Sequence, residues 1–180
     1  MTVRLEVITG PMFSGKSEEF IRRIRRATIG RIPTAVFKPV TDTRTAASQV
    51  CSRAGGCVDA VEVRSAAEIL ERVGDAQLVG IDEGQFFDEG LGAVVRMLLA
   101  QGRRVIVAGL DLTYEAKPFP VMADMLSLAT EVVKNPAVCQ SCGEDAWRSQ
   151  RIVASRETVL VGDGESYEPR CLACFTPPTQ

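Results

Sequence analysis

The run Gly10-Pro11-Met12-Phe13-Ser14-Gly15-Lys16-Ser17 satisfies the pattern GxxxxGK[ST], and no other stretch constrains the fold as much. A glycine-rich loop of this spacing works only where a buried strand delivers it and a helix begins at its end. Both flanks comply. Val3 to Thr9 is rich in β-branched residues, and Glu18 to Thr28 carries Phe20, Ile21, Ile24 and Ala27 at helical spacing. In that setting the loop's backbone N–H groups and the first helical turn face an anion, which suits the phosphates of a nucleotide. Lys16 is then placed to reach the β- and γ-phosphates, and the Ser17 hydroxyl to sit on Mg²⁺. The competing reading, a chance glycine-rich turn ahead of a helix, leaves the two matching flanks unexplained.

Downstream, apolar strand-like runs alternate with helical patterns, which argues an α/β fold with a parallel sheet covered on both faces. Thr34 to Lys38 reads as a second strand closed by Pro39, Ala60 to Arg64 as a short third, and Gln77 to Asp82 and Arg104 to Leu110 as buried strands. Ser65-Ala66-Ala67-Glu68 has the form of a capping box opening a helix to Val73. Leu91 to Ala100 and Met122 to Thr130 read as helices, and Glu131 to Lys134 as a last short strand. The polar stretch Thr41 to Asp59 shows no periodicity and reads as a long loop, functional or mobile. Arg22, Arg23, Arg25 and Arg26 read as the solvated face of the first helix, with a phosphate-binding patch as the alternative. From residue 135 the character changes to cysteines, turns and hairpin-like runs. The expected organisation is therefore a nucleotide-binding α/β domain over 1–134 and a small cysteine-bearing domain over 135–180.

A formal net charge of −2 and a pI of about 5.3 disfavour a nucleic-acid polymer as partner. No apolar run approaches membrane-spanning length, and the expectation is a cytoplasmic chain without a membrane partner. Six cysteines in such a chain read as thiols or metal ligands sooner than disulfides. Histidine is absent from all 180 residues. That absence removes Ser-His-Asp and Cys-His triads and leaves any general base to a carboxylate.

Two further constellations carry chemistry. Asp82-Glu83 follows an apolar strand, where in a phosphate-loop fold an acidic residue lies beside the phosphates. Asp82 is the candidate to hold Mg²⁺, and Glu83 the candidate to take a proton from an attacking hydroxyl or water; two carboxylates merely capping a turn is the plainer alternative. Cys139-Gln-Ser-Cys142 and Cys171-Leu-Ala-Cys174 supply four thiolates in two knuckles, the donor set of a structural Zn²⁺. A redox CxxC would explain one pair and leave the other idle. Cys51 and Cys57, in the polar stretch, read as ordinary thiols.

Taken in order, the strings 10 to 17, Asp42-Thr43-Arg44, Asp82-Glu83-Gly84-Gln85-Phe86-Phe87, Gly109-Leu110-Asp111, Lys117-Pro118-Phe119 and the paired knuckles resemble type II thymidine kinase from Val3 to Cys174. The resemblance implies a RecA-like α/β domain and phosphoryl transfer from Mg·ATP to the 5′-hydroxyl of thymidine or deoxyuridine, in nucleotide salvage for DNA synthesis. It also implies a zinc-held lasso loop over the nucleoside, a homotetramer, and feedback inhibition by dTTP. Residue by residue, it carries over Glu83 as catalytic base and Arg44 beside the transferring phosphate. Gly10 to Ser17 (Gly10, Pro11, Met12, Phe13, Ser14, Gly15, Lys16, Ser17) and Asp82 match the ATP·Mg²⁺ site. Met12, Phe86, Leu110, Tyr114 and Phe119 match walls of the thymine pocket. Tyr167 matches a residue near the sugar, and the loop from Thr158 to Tyr167 one whose backbone reads the base. The chain departs from the family pattern at Ser52-Arg53-Ala54-Gly55, Asp163 and Leu172. Two readings from other classes stand beside this one: an ATPase whose cysteine module docks on DNA or protein, and a regulatory module that binds nucleoside without turnover.

Overall fold

Strand β1, Leu5–Thr9, is buried along its whole length, as a β-branched run inside a parallel sheet must be. The structure is a computed structural model and describes residues 2–40, 49–53, 55–153 and 166–177. After β1 the chain turns through the glycine-rich loop into helix α1, Lys16–Ile29, then strand β2, Thr34–Pro39. A short hairpin follows, β3 (Gln49–Cys51) and β4 (Cys57–Asp59), and then β5 (Val61–Val63) and helix α2 (Ala67–Arg72). Strand β6 (Leu78–Ile81) leads through a 3-10 turn (Gly84–Phe86) to helix α3 (Leu91–Ala100). Strand β7 (Arg104–Ala108), helix α4 (Pro120–Leu128) and strand β8 (Glu131–Lys134) complete the sheet. Beyond it lie two small antiparallel pairs, β9 (Ala137–Val138) with β10 (Asp145–Ala146), and β11 (Arg148–Arg151) with β12 (Tyr167–Arg170).

The six-stranded sheet has the order β5-β2-β6-β7-β1-β8 with every pairing parallel. Parallel strands need crossovers, and those crossovers put helices on both faces. On one face Phe20, Ile21, Ile24 and Ala27 of α1 bury against Ile8, Val36, Leu78, Ile106 and Ala108. On the other, Leu5, Val7, Val79, Val105 and Val107 pack with residues of α2, α3 and α4, including Ile69, Val95, Leu98 and Met122. The expected α/β architecture holds, because strands buried on both faces read as continuous apolar runs.

Three local expectations are corrected. The stretch 41–59 is not loop throughout: β3 and β4 pair antiparallel, and Val50 is buried in the α1 face. The pairing sets Cys51 opposite Cys57 with Cα atoms 4.1 Å apart, and their sulfurs are bonded, so these are not ordinary thiols. Three-residue strands with mixed exposure are too short for period-2 alternation to stand out, which is why the sequence reading passed over them. The Ser65–Glu68 capping box does not form. Helix α2 starts one residue later than that motif requires, with Ala66 at its N-cap, no side-chain cap bond, and the Ala66 N–H donating to Asp88 Oδ2 at 2.8 Å.

The arginines of α1 divide. Arg22, Arg25 and Arg26 are exposed, as a solvated face requires, whereas Arg23 reaches the sheet. Glu6, fully buried on β1, is bonded by Arg4 (2.7 Å), by Arg104 (2.9 Å at Nη2) and by Arg23. Arg23 also pairs with Glu19 and Glu131, at 2.7 Å each. Burial pushes the Glu6 carboxyl up, and the three guanidinium groups outweigh it and hold the group below the usual carboxylate range. An unpaired carboxylate there would be prohibitively costly, so the network is what permits a charge inside β1.

Candidate functional site

Because all six strands run the same way, their C-terminal ends gather on one edge of the sheet, where parallel folds bind ligands. Ile8 of β1 pairs with Ala108 of β7, and Val107 of β7 with Ile81 of β6. The residues just beyond these pairs are therefore neighbours: Gly10 to Ser17 after β1, Gly109 to Asp111 after β7, Asp82-Glu83 after β6, and Asn135 after β8.

Gly10 sits at φ 136°, and a Cβ there would lie 2.2 Å from the Asn135 carbonyl oxygen. Only glycine lets the chain turn this tightly against β8. Gly15, at φ 75°, precedes Lys16, the first residue of α1. Lys16 Nζ donates to the Pro11 carbonyl at 2.6 Å and spans the mouth of the loop. Ser14 is buried, and among the described residues its hydroxyl meets no hydrogen-bond partner. An orphaned buried hydroxyl in a loop of this kind fits a bound anion, since such groups are otherwise paired. Phe13, at φ 65°, packs against the cysteine cluster, with the Arg53 guanidinium 4.3 Å from its ring centroid.

Asp82 is buried, and its N–H donates to the Phe37 carbonyl at 2.9 Å, continuing the β2–β6 ladder. Glu83 is half-buried in a left-handed conformation, φ 52°. A non-glycine residue held there stores strain, and strained residues concentrate at functional sites. The buried Gln85 donates to Glu83 Oε2 and accepts from the Leu110 N–H at 2.9 Å. Thr9 Oγ1 donates to the Gly109 carbonyl at 2.9 Å, and Lys134 Nζ pairs with the buried Asp111 at 2.6 Å, tying β1, β7 and β8 together at their ends.

The residues matched to a base pocket follow β1, β6 and β7 in the chain. Met12, Phe86, Leu110, Tyr114 and Phe119 are all half-buried, whereas Phe87 belongs to the core. Phe119 is the N-cap of α4 and packs on the core at its edge. Tyr114 and Tyr167 are joined by Arg151, whose guanidinium lies 3.7 Å from the Tyr114 ring centroid and donates to the Tyr167 hydroxyl at 2.6 Å. Sequence reasoning missed Arg151, and it missed Ser149, whose buried Oγ accepts from the Met12 N–H at 2.9 Å. Neither has a local signal, because each partner is distant in sequence. Arg44 and the stretch from Thr158 to Glu165, including Asp163, lie outside the described residues.

The four knuckle cysteines converge, with all Sγ atoms of Cys139, Cys142, Cys171 and Cys174 within 4.8 Å of one another. Tight turns shape each knuckle: Gly143 N–H donates to the Cys139 carbonyl and Phe175 N–H to that of Cys171. Burial pushes the Cys139 thiol up, but backbone N–H groups of Cys171, Ser141 and Cys142 outweigh it and bring it down to about 6. The Cys174 thiol, hydrogen-bonded with Cys171 and Cys142, is pushed up to about 12. Four sulfurs this close would repel one another once ionised. A bound cation relieves that crowding, so the four-sulfur set fits a soft metal ion.

A family model described as thymidine kinase matches residues 3–175. A thymidine kinase of Coprothermobacter proteolyticus is 47% identical over 173 residues, covering 93% of this chain and 87% of that protein. One of Chloroflexus aurantiacus is 45% identical over 183 residues, covering 97% and 95%. The chain belongs to the thymidine kinase family.

Proposed function

We propose that this chain transfers the γ-phosphate of ATP to the 5′-hydroxyl of thymidine, with deoxyuridine as a second acceptor, in nucleotide salvage for DNA synthesis. The observation that carries the reading is the juxtaposition of the phosphate loop with the Asp82-Glu83 strand end on one edge of a parallel sheet, in a member of this family. The loop from Gly10 to Ser17 holds the phosphates through backbone N–H groups, with Lys16 reaching the β- and γ-positions. Ser17 and Asp82 would hold Mg²⁺, which when bound neutralises charge between the β- and γ-phosphates. Glu83 accepts the proton of the 5′-hydroxyl as the hydroxyl oxygen bonds to the γ-phosphorus and the bond from that phosphorus to the β,γ-bridging oxygen breaks, releasing ADP, and Arg44 balances charge on the transferring group.

Met12, Phe86, Leu110, Tyr114 and Phe119 form an apolar slot for the pyrimidine and its methyl group, and Tyr167 stands by the sugar. In the unit 135–180, Cys139, Cys142, Cys171 and Cys174 would hold Zn²⁺, which would anchor the loop over the nucleoside, while 1–134 binds ATP. Assembly as a homotetramer, a cytoplasmic location and feedback binding of dTTP belong to the same proposal and rest on the family resemblance. Among the described residues no helix is long and apolar enough to cross a membrane, and the acidic charge balance supports small ligands over a nucleic-acid polymer.

The test is ATP consumption with Mg²⁺ in the presence of thymidine, deoxyuridine, deoxycytidine, deoxyadenosine or deoxyguanosine, or no nucleoside, with Glu83→Gln alongside. Thymidine-dependent turnover that falls on the order of 10² to 10⁴-fold in the variant is expected. Turnover without nucleoside would replace the kinase with an ATPase. Nucleoside binding without turnover would replace it with a regulatory module.

A further inference from the structure

Gln85 lies in the 3-10 turn after β6, 6% exposed, and both ends of its amide are engaged by residues of the strand-end site. Its Nε2 donates to Glu83 Oε2, and its Oε1 accepts from the Leu110 N–H at 2.9 Å. The neighbours fix which way the amide faces, because a backbone N–H only donates and an ionised carboxylate only accepts. An amide is the side-chain group that serves both at once. A glutamate would set two carboxylates against each other, and a methionine would serve neither partner.

The surroundings are shaped to this amide. A Cβ on Gly109 would lie 2.6 Å from Gln85 Oε1, so the backbone after β7 comes this close only because residue 109 has no side chain. Glu83 is in the left-handed region, φ 52°, a strained backbone of the kind that concentrates at functional sites. Leu110, at the far end of the amide, is one of the residues assigned to the wall of the base pocket.

We propose that Gln85 is a positioning residue that aims the Glu83 carboxylate at the acceptor hydroxyl and couples that aim, through Leu110, to occupation of the base pocket. The inference rests on the reading of Glu83 as the base. A buried amide must be paired wherever it sits. What sets this one apart is that it joins the proton acceptor to the pocket wall, so its loss acts on the chemical step and on acceptor binding separately.

The experiment is steady-state kinetics at pH 8 with ATP and thymidine on wild type, Gln85→Glu, Gln85→Met, Glu83→Gln and the double variant Glu83→Gln/Gln85→Met, with thermal unfolding of each. Residual rates are read with γ-labelled ATP. Gln85→Met is expected to lower kcat about 10- to 100-fold, a fraction of what a positioned general base contributes, to raise KM for thymidine, and to leave KM for ATP unchanged. Gln85→Glu keeps an acceptor for the Leu110 N–H, so its kcat falls likewise while KM for thymidine stays near wild type. In the Glu83→Gln background Gln85→Met costs nothing further in kcat, because no base remains to aim. Equal losses in both backgrounds, or wild-type kinetics in Gln85→Met beside an inactive Glu83→Gln, would overturn the positioning role and leave the base assignment standing. Wild-type kcat in Glu83→Gln would overturn the base assignment and this inference with it. Should Gln85→Met not fold, the nearly isosteric Gln85→Glu carries the test, and wild-type kcat in it is the overturning result.

Discussion

The strand ends and the cysteine module are both built to hold something, and they are prepared in opposite ways. At the strand ends the protein supplies nearly every partner itself: Thr9 bonds Gly109, Lys134 pairs with Asp111, and Gln85 bridges Glu83 to Leu110. Four parallel strands fix the positions before any ligand arrives. Among the described residues of the cysteine module, only two-residue strands, β9 and β10, and one four-residue pair surround four thiols that crowd one another. Its small apolar cluster, Ala137, Cys139, Ala146 and Cys171, consists half of the candidate ligands. One region is organised by the fold; the other has the four-sulfur set that an ion would organise.

The largest effect should come from breaking the second region. Stripping metal with a chelator, or Cys142→Ser, removes the cross-link that substitutes for a core, and in small metal modules that binding energy is the folding energy. The expected outcome is local unfolding of 135–180 with loss of kinase activity, while the sheet keeps its far-ultraviolet dichroism. Hydrogen exchange resolved by segment checks it. Full protection of 137–175 in metal-free protein would show that the two regions do not differ as argued.

The comparison also explains what the sequence made legible. The phosphate loop, Asp82-Glu83 and the two CxxC pairs are local strings whose spacing is itself the chemistry, and the long buried strands β1, β6 and β7 announce themselves as apolar runs. The bonds that link those strings were not legible. Gln85 to Leu110, Ser149 to Met12 and Arg151 to Tyr114 join residues 25, 137 and 37 positions apart, the separations being differences of residue number. No periodicity or motif encodes such a pairing. The hairpin that bonds Cys51 to Cys57 escaped for a related reason, since its register appears only once β3 and β4 are laid side by side. Charges misled in one place: Arg23 looks like its exposed neighbours on α1, yet it is drawn inward by a buried glutamate 17 residues earlier.

A smaller effect tests the fold-organised end. Gly10→Ala would place a Cβ 2.2 Å from the Asn135 carbonyl at a φ of 136° that alanine resists. Overpacking of this kind costs typically ~1–3 kcal/mol. The backbone around the phosphates must shift, so ATP binding should weaken at least tenfold, while thermal unfolding drops by a few degrees and metal content stays at wild type. Titration calorimetry with a non-hydrolysable ATP analogue reads the first, and metal analysis the last. Loss of metal together with ATP binding would mean that the two regions are mechanically one, linked through Phe13 and the Met12–Ser149 bond.

The smallest effect lies on α1, in the first turn after the phosphate loop. The Arg22 guanidinium beside Glu19, together with Arg23, holds that carboxyl down to about 2. A carboxyl depressed on folding stabilises the native state above its unfolded value and loses that contribution as pH falls through the folded one. The window is therefore from the ordinary glutamate range near 4.5 down to about 2. Urea midpoints of wild type and Glu19→Gln should differ modestly at pH 6, by less than Gly10→Ala changes stability, because the pair is partly exposed and screened. The gap should close as pH falls through that window and narrow with added salt. A gap that stayed constant with pH would assign the effect to packing of the side chain rather than its charge. Because Glu6, deeper in the same network, is held down by the same Arg23, a second loss of stability in acid that survives in Glu19→Gln would mark the buried carboxylate that fixes α1 to β1.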